Sequence, residues 1–437
     1  MADAVSSRPL TRGDAKTLAL ASLGGALEFY DFIIYVFFAV VIGRLFFPPD
    51  MPEWLEQLQT FGIFAAGYLA RPLGGVILAH FGDKTGRKRM FTLSIFMMAL
   101  PTLIIGILPT YESIGYLAPL LLLVMRVFQG AAIGGEAPGA WVFVSEHVPQ
   151  NRIGLACGLL TGGLTGGILL GSLMATLINY VYTPTEIHDF AWRIPFIVGG
   201  VFGLVAMYLR RWLHETPVFE AMRARKTLVA DMPLKQVLSG YRPAVVVSML
   251  VTWMLTAIVV VIILMTPTLM QRLHGLAPLV TLYASIAATL GITLSAFTIG
   301  ALIDRFGLLR VTLAGGPFFV VTAYALFIGT AADTAYLIPL SALAGIGAGL
   351  INVVPYTMVK AFPDYVRFTG VSFSYNVAYA IFGGLTPIAV QLLLVADGLG
   401  PVHYVAGATV IGIGAIVVYS LRPSLGLAGK VAQSPVR

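Results

Sequence analysis

The 437-residue chain contains a single cysteine, Cys157. A disulfide within the chain and any cysteine-based metal cluster are thereby excluded. Charge is scarce as well: Asp, Glu, Lys and Arg make up 11% of the residues, under half of the roughly 25% found in soluble domains. No Gly-x-x-x-x-Gly-Lys-Ser/Thr loop occurs, which argues against an ATP-driven pump in this chain. The six histidines, His80, His147, His188, His214, His274 and His403, show no paired metal spacing. No metal and no cofactor is expected, and no enzyme chemistry.

What the chain has in excess is apolar sequence. Hydrophobic residues are 58% of it and the mean hydropathy is +0.88, the composition of a multi-pass membrane protein. Twelve apolar segments stand out, over 18–43, 58–80, 90–109, 115–145, 153–181, 192–212, 243–269, 276–302, 310–330, 335–359, 367–395 and 402–421. Each is long enough to cross a bilayer as a helix. The first is too long and too acidic for a cleaved signal peptide. The net charge of +7 is unevenly placed. With a cytoplasmic N-terminus, the inner loops collect most of the Lys and Arg, and the outer loops hold Arg44, Arg193 and Arg272. This fits the positive-inside rule with both termini cytoplasmic. The basic balance is thus a topology signal and not a sign of nucleic-acid binding. The expected partners are a small-molecule substrate, protons and the lipid bilayer, and a monomer is expected.

Part of the pattern is written twice. Asp83-Lys84-Thr85-Gly86 follows span 2, and Asp304-Arg305-Phe306-Gly307 follows span 8; both run Asp, basic, any, Gly. Glu146 with Pro149, Arg152 and Gly154 after span 4 is echoed by Lys360 with Pro363, Arg367 and Gly370 after span 10. Two six-span halves in the same orientation follow. The expected organisation is an N-terminal bundle over 1–212, a cytoplasmic linker over 213–241, a C-terminal bundle over 242–422 and a tail over 423–437. An Asp at a helix end beside a basic turn can latch two spans through a neighbour's N-terminal dipole and arginines. Asp83, Arg87, Glu146, Asp304, Arg305 and Arg367 are the expected gating residues.

The duplicated loop resembles the signature of the major facilitator superfamily. Further motifs resemble its metabolite:proton symporter family: Glu28-Phe29-Tyr30-Asp31-Phe32, Arg71-Pro72-Leu73-Gly74-Gly75, Arg126 with Gln129-Gly130 and Gly134-Gly135-Glu136, Trp192-Arg193-Ile194-Pro195-Phe196, Glu215-Thr216-Pro217-Val218-Phe219, and Phe362-Pro363 with Val366-Arg367, Thr369-Gly370, Tyr375-Asn376 and Gly383-Gly384. The match runs from span 1 to span 11. The resemblance implies an all-α, twelve-helix fold in two pseudo-symmetric halves, and proton-driven uptake of a small metabolite such as a carboxylate, keto acid, aromatic acid or zwitterionic osmolyte. Three positions depart from the superfamily pattern: Ala79 for Gly, Leu308-Leu309 for a basic pair, and Lys360 for Glu. The last removes a Glu–Arg pairing from the second latch, leaving Asp304 or Asp364 to serve.

The chemistry centres on span 1. A carboxylate near the middle of a membrane helix costs about 2.5–3.5 kcal/mol, so it faces a partner or a watery cavity. Glu28, Asp31 and Tyr35 share one helical face at i, i+3 and i+7. Span 4 brings Arg126 to a similar depth, and an Asp31–Arg126 pair is expected, as the superfamily resemblance also implies. Glu28 is a second titrating group or a partner of Asp31. Glu136 shares a face of span 4 with Arg126 and Gln129, and is either a proton-release site or a structural group beside the glycines there. Arg71 near mid-membrane is Glu28's partner or an anion ligand, since a guanidinium binds a carboxylate through two parallel hydrogen bonds. Trp253, Asn352, Tyr356, Tyr375, Asn376 and Tyr379 are the neutral intramembrane groups of the second half, read as substrate contacts together with Tyr35 and Gln129. The expected activity is proton-coupled symport of a small organic anion across a bacterial inner membrane. A zwitterionic osmolyte, a larger carboxylate chelate, a proton-driven exporter and a non-transporting sensor are the alternatives.

Overall fold

The computed structural model describes residues 8–225 and 232–421, so the tail expected over 423–437 and part of the linker lie outside the described residues. Every regular element among the described residues is helical. The spans are α1 (Arg12–Phe37), α2 (Glu53–Thr85), α3 (Arg87–Ile107), α4 (Leu117–His147), α5 (Ile153–Val181) and α6 (Arg193–Leu209) in the first half. In the second half they are α7 (Arg242–His274), α8 (Pro278–Phe306), α9 (Leu308–Ala332), α10 (Thr334–Ala361), α11 (Arg367–Ala396) and α12 (Gly400–Leu421). Among the described residues, eleven helices have the length and apolar character to cross a membrane, and α2, at 33 residues, has the length to be the twelfth. Most spans overrun the expected apolar segments by up to a turn or two. Backbone hydrogen bonding continues past the apolar stretch until a cap or a breaker stops it. At the start of α1 the cap is reciprocal: Thr11 Oγ1 accepts from the Asp14 amide at 3.2 Å, and Asp14 accepts from the Thr11 amide at 2.8 Å.

With twelve passes, α1 begins and α12 ends on one face of the bundle. That face carries the repeated Asp-basic turns and is called the basic face below. Both turns close with a glycine in a left-handed conformation, Gly86 at φ 126° and Gly307 at φ 86°. The repeat in sequence is thus a repeat in backbone, because a side chain at either position would be strained. The connection between the halves holds two short helices, Pro217–Ala224 and Pro233–Gly240.

Two spans share a local irregularity with one cause. Pro267 in α7 and Pro387 in α11 lack an N–H, and each is preceded by a stretch of widened turns, Val259–Met265 and Tyr379–Gly383. In each case the preceding threonine repairs the ladder: Thr266 Oγ1 donates to the Val261 carbonyl at 2.9 Å and Thr386 Oγ1 to the Phe382 carbonyl at 2.6 Å. The second widened stretch carries Tyr379 and Phe382, both of which matter below.

Close packing holds each half together. In the crossing of α2 and α4, a β-carbon on Gly130 would overlap the Gly67 carbonyl, and one on Gly134 the Arg71 carbonyl. Small residues let these two backbones touch where no hydrophobic effect drives helix association.

Candidate functional site

The acidic face of α1 points into the first half. Glu28, Asp31 and Tyr35 are all buried, as are Arg71, Arg126, Gln129 and Glu136. Asp31 is joined to Arg126 through a third side chain. Gln129 Nε2 donates to Asp31 Oδ2 at 2.6 Å and to Thr102 Oγ1 at 2.8 Å, while Gln129 Oε1 accepts from Arg126 at 2.9 Å. The Arg126 guanidinium lies 4.1 Å above the Tyr35 ring, and the Tyr35 hydroxyl donates to the Thr60 carbonyl at 3.3 Å. The contact expected as a plain ion pair is therefore a relay. One turn of α4 separates Arg126 from Gln129, so both project toward the same carboxylate.

One turn deeper in α1, neither oxygen of Glu28 has a hydrogen-bond partner among the described residues. The charges that act on Glu28 belong to Glu136 of α4, Arg71 of α2 and Arg210 just past α6. Glu136 is committed elsewhere: Arg210 and Ser94 Oγ both donate to its carboxylate. Arg210 also donates to the Phe91 carbonyl, with its guanidinium 3.6 Å from the Phe91 ring centre. Arg210, counted among the loop cations from its position after an apolar segment, is in fact fully buried. The chain passes from α6 back toward α1, and Gly24 leaves the room for the guanidinium.

Arg71 acts on Glu28 by charge but is set among aromatic rings. Three tyrosine rings surround its guanidinium, Tyr379 at 4.4 Å, Tyr68 at 5.4 Å and Tyr375 at 5.7 Å. Two of its buried nitrogens, Nε and Nη2, have no hydrogen-bond partner among the described residues. A cationic fork with spare donors, floored by aromatic faces, is suited to a carboxylate and to the apolar or cationic body attached to it. Nearby in the second half, Trp253 stacks on Phe382 at 4.6 Å and 9°, and Trp253 Nε1 donates to the Tyr404 hydroxyl at 2.9 Å.

The remaining expected contacts of the second half lie elsewhere. Asn352 donates to the Ala296 carbonyl, tying α10 to α8. Tyr356 is placed near Asp304 and Cys157, toward the basic face. Asn376 donates to the Gly134 carbonyl at 2.6 Å and so clasps α11 to α4, beside a Tyr375–Trp141 edge contact at 5.1 Å. The sequence put these groups on the right spans without revealing which direction each faced. Tyr68, Thr102, Ser94 and Arg210 were not singled out from the sequence. Tyr68 is one turn before Arg71 and could have been found by that spacing, whereas the others have no local signal.

On the basic face the halves are bolted together. Asp83 Oδ2 accepts from the Thr369 amide at 2.9 Å and its hydroxyl at 2.7 Å, at the start of α11. Asp304 does the same for the start of α5, accepting from the amides of Gly154 at 2.7 Å and Leu155 at 2.8 Å. Glu146 binds Arg87 at 2.7 Å and Arg367 at 3.0 Å. Arg87 donates onward to the Asp364 carbonyl at 2.6 Å, and Lys360 to Gln150 at 2.6 Å. Arg305 takes no part in this group; it is exposed, with its guanidinium 5.2 Å from the Phe306 ring centre. Cys157, the lone thiol, is buried on α5 within electrostatic reach of Asp304 and Lys360 of the other half. The bundle is thus closed on its basic face.

A two-halved helical bundle with buried charges at its centre and a latch on one face defines a membrane carrier, and not an enzyme. The chain belongs to the Major Facilitator Superfamily, whose family model matches residues 23–387. It is similar to a putative proline/betaine transporter of Staphylococcus aureus (strain COL), 32% identical over 91% of this chain and 86% of that one. The inner membrane metabolite transport protein YhjE of Escherichia coli (strain K12) is 32% identical over 91% and 93%. A citrate-proton symporter of Klebsiella pneumoniae is 30% identical over 92% and 91%. Among solved structures, the proton:xylose symporter XylE bound to 6-bromo-6-deoxy-D-glucose shares the fold, with a TM-score of 0.77 at 14% identity over 93% of this chain and 95% of that one.

Proposed function

We propose that the protein imports a small carboxylate-bearing metabolite together with one or more protons, by alternating access, with the basic face and both termini in the cytoplasm of a bacterial inner membrane. The observation that carries this reading is the presence, in one buried cluster of the first half, of an acid held in a neutral relay, Asp31 through Gln129 to Arg126, and of a separate arginine, Arg71, that keeps spare donors. Arg71 takes the carboxylate. Asp31 takes the proton when cargo or a helix shift draws Gln129 or Arg126 away from it. Loss of the relay leaves a buried carboxylate that is cheaper to protonate than to carry charged. A loaded carrier then has fewer uncompensated charges at its centre, and the latch on the basic face can part. One proton moving down about 150 mV supplies about 3.5 kcal/mol, enough for about 300-fold accumulation when one net positive charge enters per cycle.

A zwitterionic carboxylate is the second reading. The three tyrosine faces around Arg71 and the Trp253–Phe382 stack favour it, because aromatic faces hold a quaternary ammonium. Uptake into proteoliposomes across labelled organic acids and zwitterions, with and without an imposed pH gradient, decides between them. In the same assay Asp31→Asn is expected to lose gradient-driven accumulation and keep exchange. Accumulation retained by that variant would remove Asp31 from the coupling role.

A further inference from the structure

Away from the central site, α2, α3 and the end of α6 enclose a groove of about 800 Å³ that opens on the outside of the bundle near the basic face. Its walls include Phe81, Leu93 and Phe96, which are 47%, 40% and 39% exposed. Its rim includes Lys88 and Arg89. Among the described residues the one acid in the lining, Glu215, is already committed, accepting from the amides of Arg87 and Lys88, both at 3.1 Å, and of Thr216 at 2.9 Å. Among the described residues neither Lys88 nor Arg89 has an acidic partner, and the Lys88 ammonium reaches only the Arg211 carbonyl, at 3.4 Å. From Lys88 to Phe96 is eight residues of α3, about 12 Å of helix. The groove therefore runs from a doubly cationic mouth to an aromatic wall over the distance that separates a lipid headgroup from the upper acyl chain.

We propose that this groove binds one anionic phospholipid of the leaflet on the basic face, with its phosphate between Lys88 and Arg89 and one acyl chain along Leu93 and Phe96. Both halves of the cleft are then satisfied by one molecule: the cations gain an anion, and the exposed rings gain a chain in place of headgroup water. A soluble anion would fill the mouth and leave the apolar wall bare. A zwitterionic lipid would bring its own cation up to two others. Lipid at Lys88 also rests against the first turn of α3, next to Arg87 of the latch.

The test uses the full-length protein in neutral detergent, with phosphatidylglycerol added and the bound fraction read by native mass spectrometry. Lys88→Gln with Arg89→Gln is expected to weaken binding tenfold or more, at about fivefold per cation, while leaving the thermal midpoint in place. Phosphatidylcholine is expected to bind the wild type at least fivefold more weakly than phosphatidylglycerol, and glycerol 3-phosphate to fail as a competitor. Equal binding by the double variant, equal binding of the two lipids, or displacement by glycerol 3-phosphate would each overturn the proposal. Should the double variant fold poorly, phosphatidylglycerol with a photoreactive acyl chain is applied to the wild type. Crosslinks within 81–96 support the site, and crosslinks spread over the bundle surface refute it.

Discussion

Beside Arg87 of the latch, three buried arginines of the first half do three different things, and their partners decide which. Arg126 donates to a neutral amide and lies over an aromatic face, and Gln129 carries its contact on to Asp31. Arg210 forms a buried ion pair with Glu136, and removing one member of such a pair leaves an uncompensated charge, at a cost of about 3–5 kcal/mol. Arg210→Met alone should therefore reduce folded yield sharply. Arg210→Met combined with Glu136→Leu should restore it, because an apolar pair of similar volume is tolerated in the same space. The double variant also separates the two expectations for Glu136. Coupled uptake that survives assigns it to architecture, and uptake that becomes independent of the proton gradient assigns it to proton release. Arg71 is the third case. Arg71→Lys keeps the charge and loses the planar fork, so KM should rise about tenfold with kcat largely kept, as measured by initial rates of uptake.

At the scale of the helix, the sequence reports well where a span lies and poorly which way its polar residues turn. The Asp-basic-x-Gly repeat predicts two matching turns, and Gly86 and Gly307 do share the left-handed conformation that only glycine adopts cheaply. Periodicity also places Glu28, Asp31 and Tyr35 on one face, and all three are buried. Beyond these, partners hundreds of residues away decide the outcome. Asn376 was legible as a polar group on the last third of the chain, but its bond to the Gly134 carbonyl depends on how α11 leans on α4. Arg210 follows a run of apolar residues and looks like a loop cation until the fold brings Glu136 alongside. The widened turns before Pro267 and Pro387 are a middle case: proline marks them, and the adjacent threonine shows how they are tolerated. Glycines make a sharper test of packing. Gly134→Val places branched carbon against the Arg71 carbonyl and should lower the thermal midpoint by several degrees and reduce yield. Gly407→Ala, which meets nothing within 4 Å, should leave both unchanged.

The two halves are not mirror copies where they meet. Asp83 and Asp304 play the same part, each accepting amides at the start of a helix in the opposite half, but among the described residues the ion pairs of this face gather on the Asp83 side. Glu146 gathers Arg87 and Arg367, whereas its counterpart Lys360 donates its ammonium to the uncharged amide of Gln150. The Glu146 cluster should dominate the free energy of closure. Arg367→Ala removes the ion pairs to Glu146 and Asp364 while Arg87 still pairs Glu146; at about 1 kcal/mol or more, this should shift the population toward the form open on the basic face at least fivefold.

That shift can be read without adding any probe. The protein's only sulfhydryl, Cys157, is sealed at the seam where α5 meets the second half, so a maleimide supplied in the water phase reaches it only when the seam parts. The native chain thus carries its own shutter. Its alkylation rate should climb in the Arg367→Ala protein and, if cargo favours the closed side, fall when cargo is present, which makes mass gain against time a direct record of how often the gate swings.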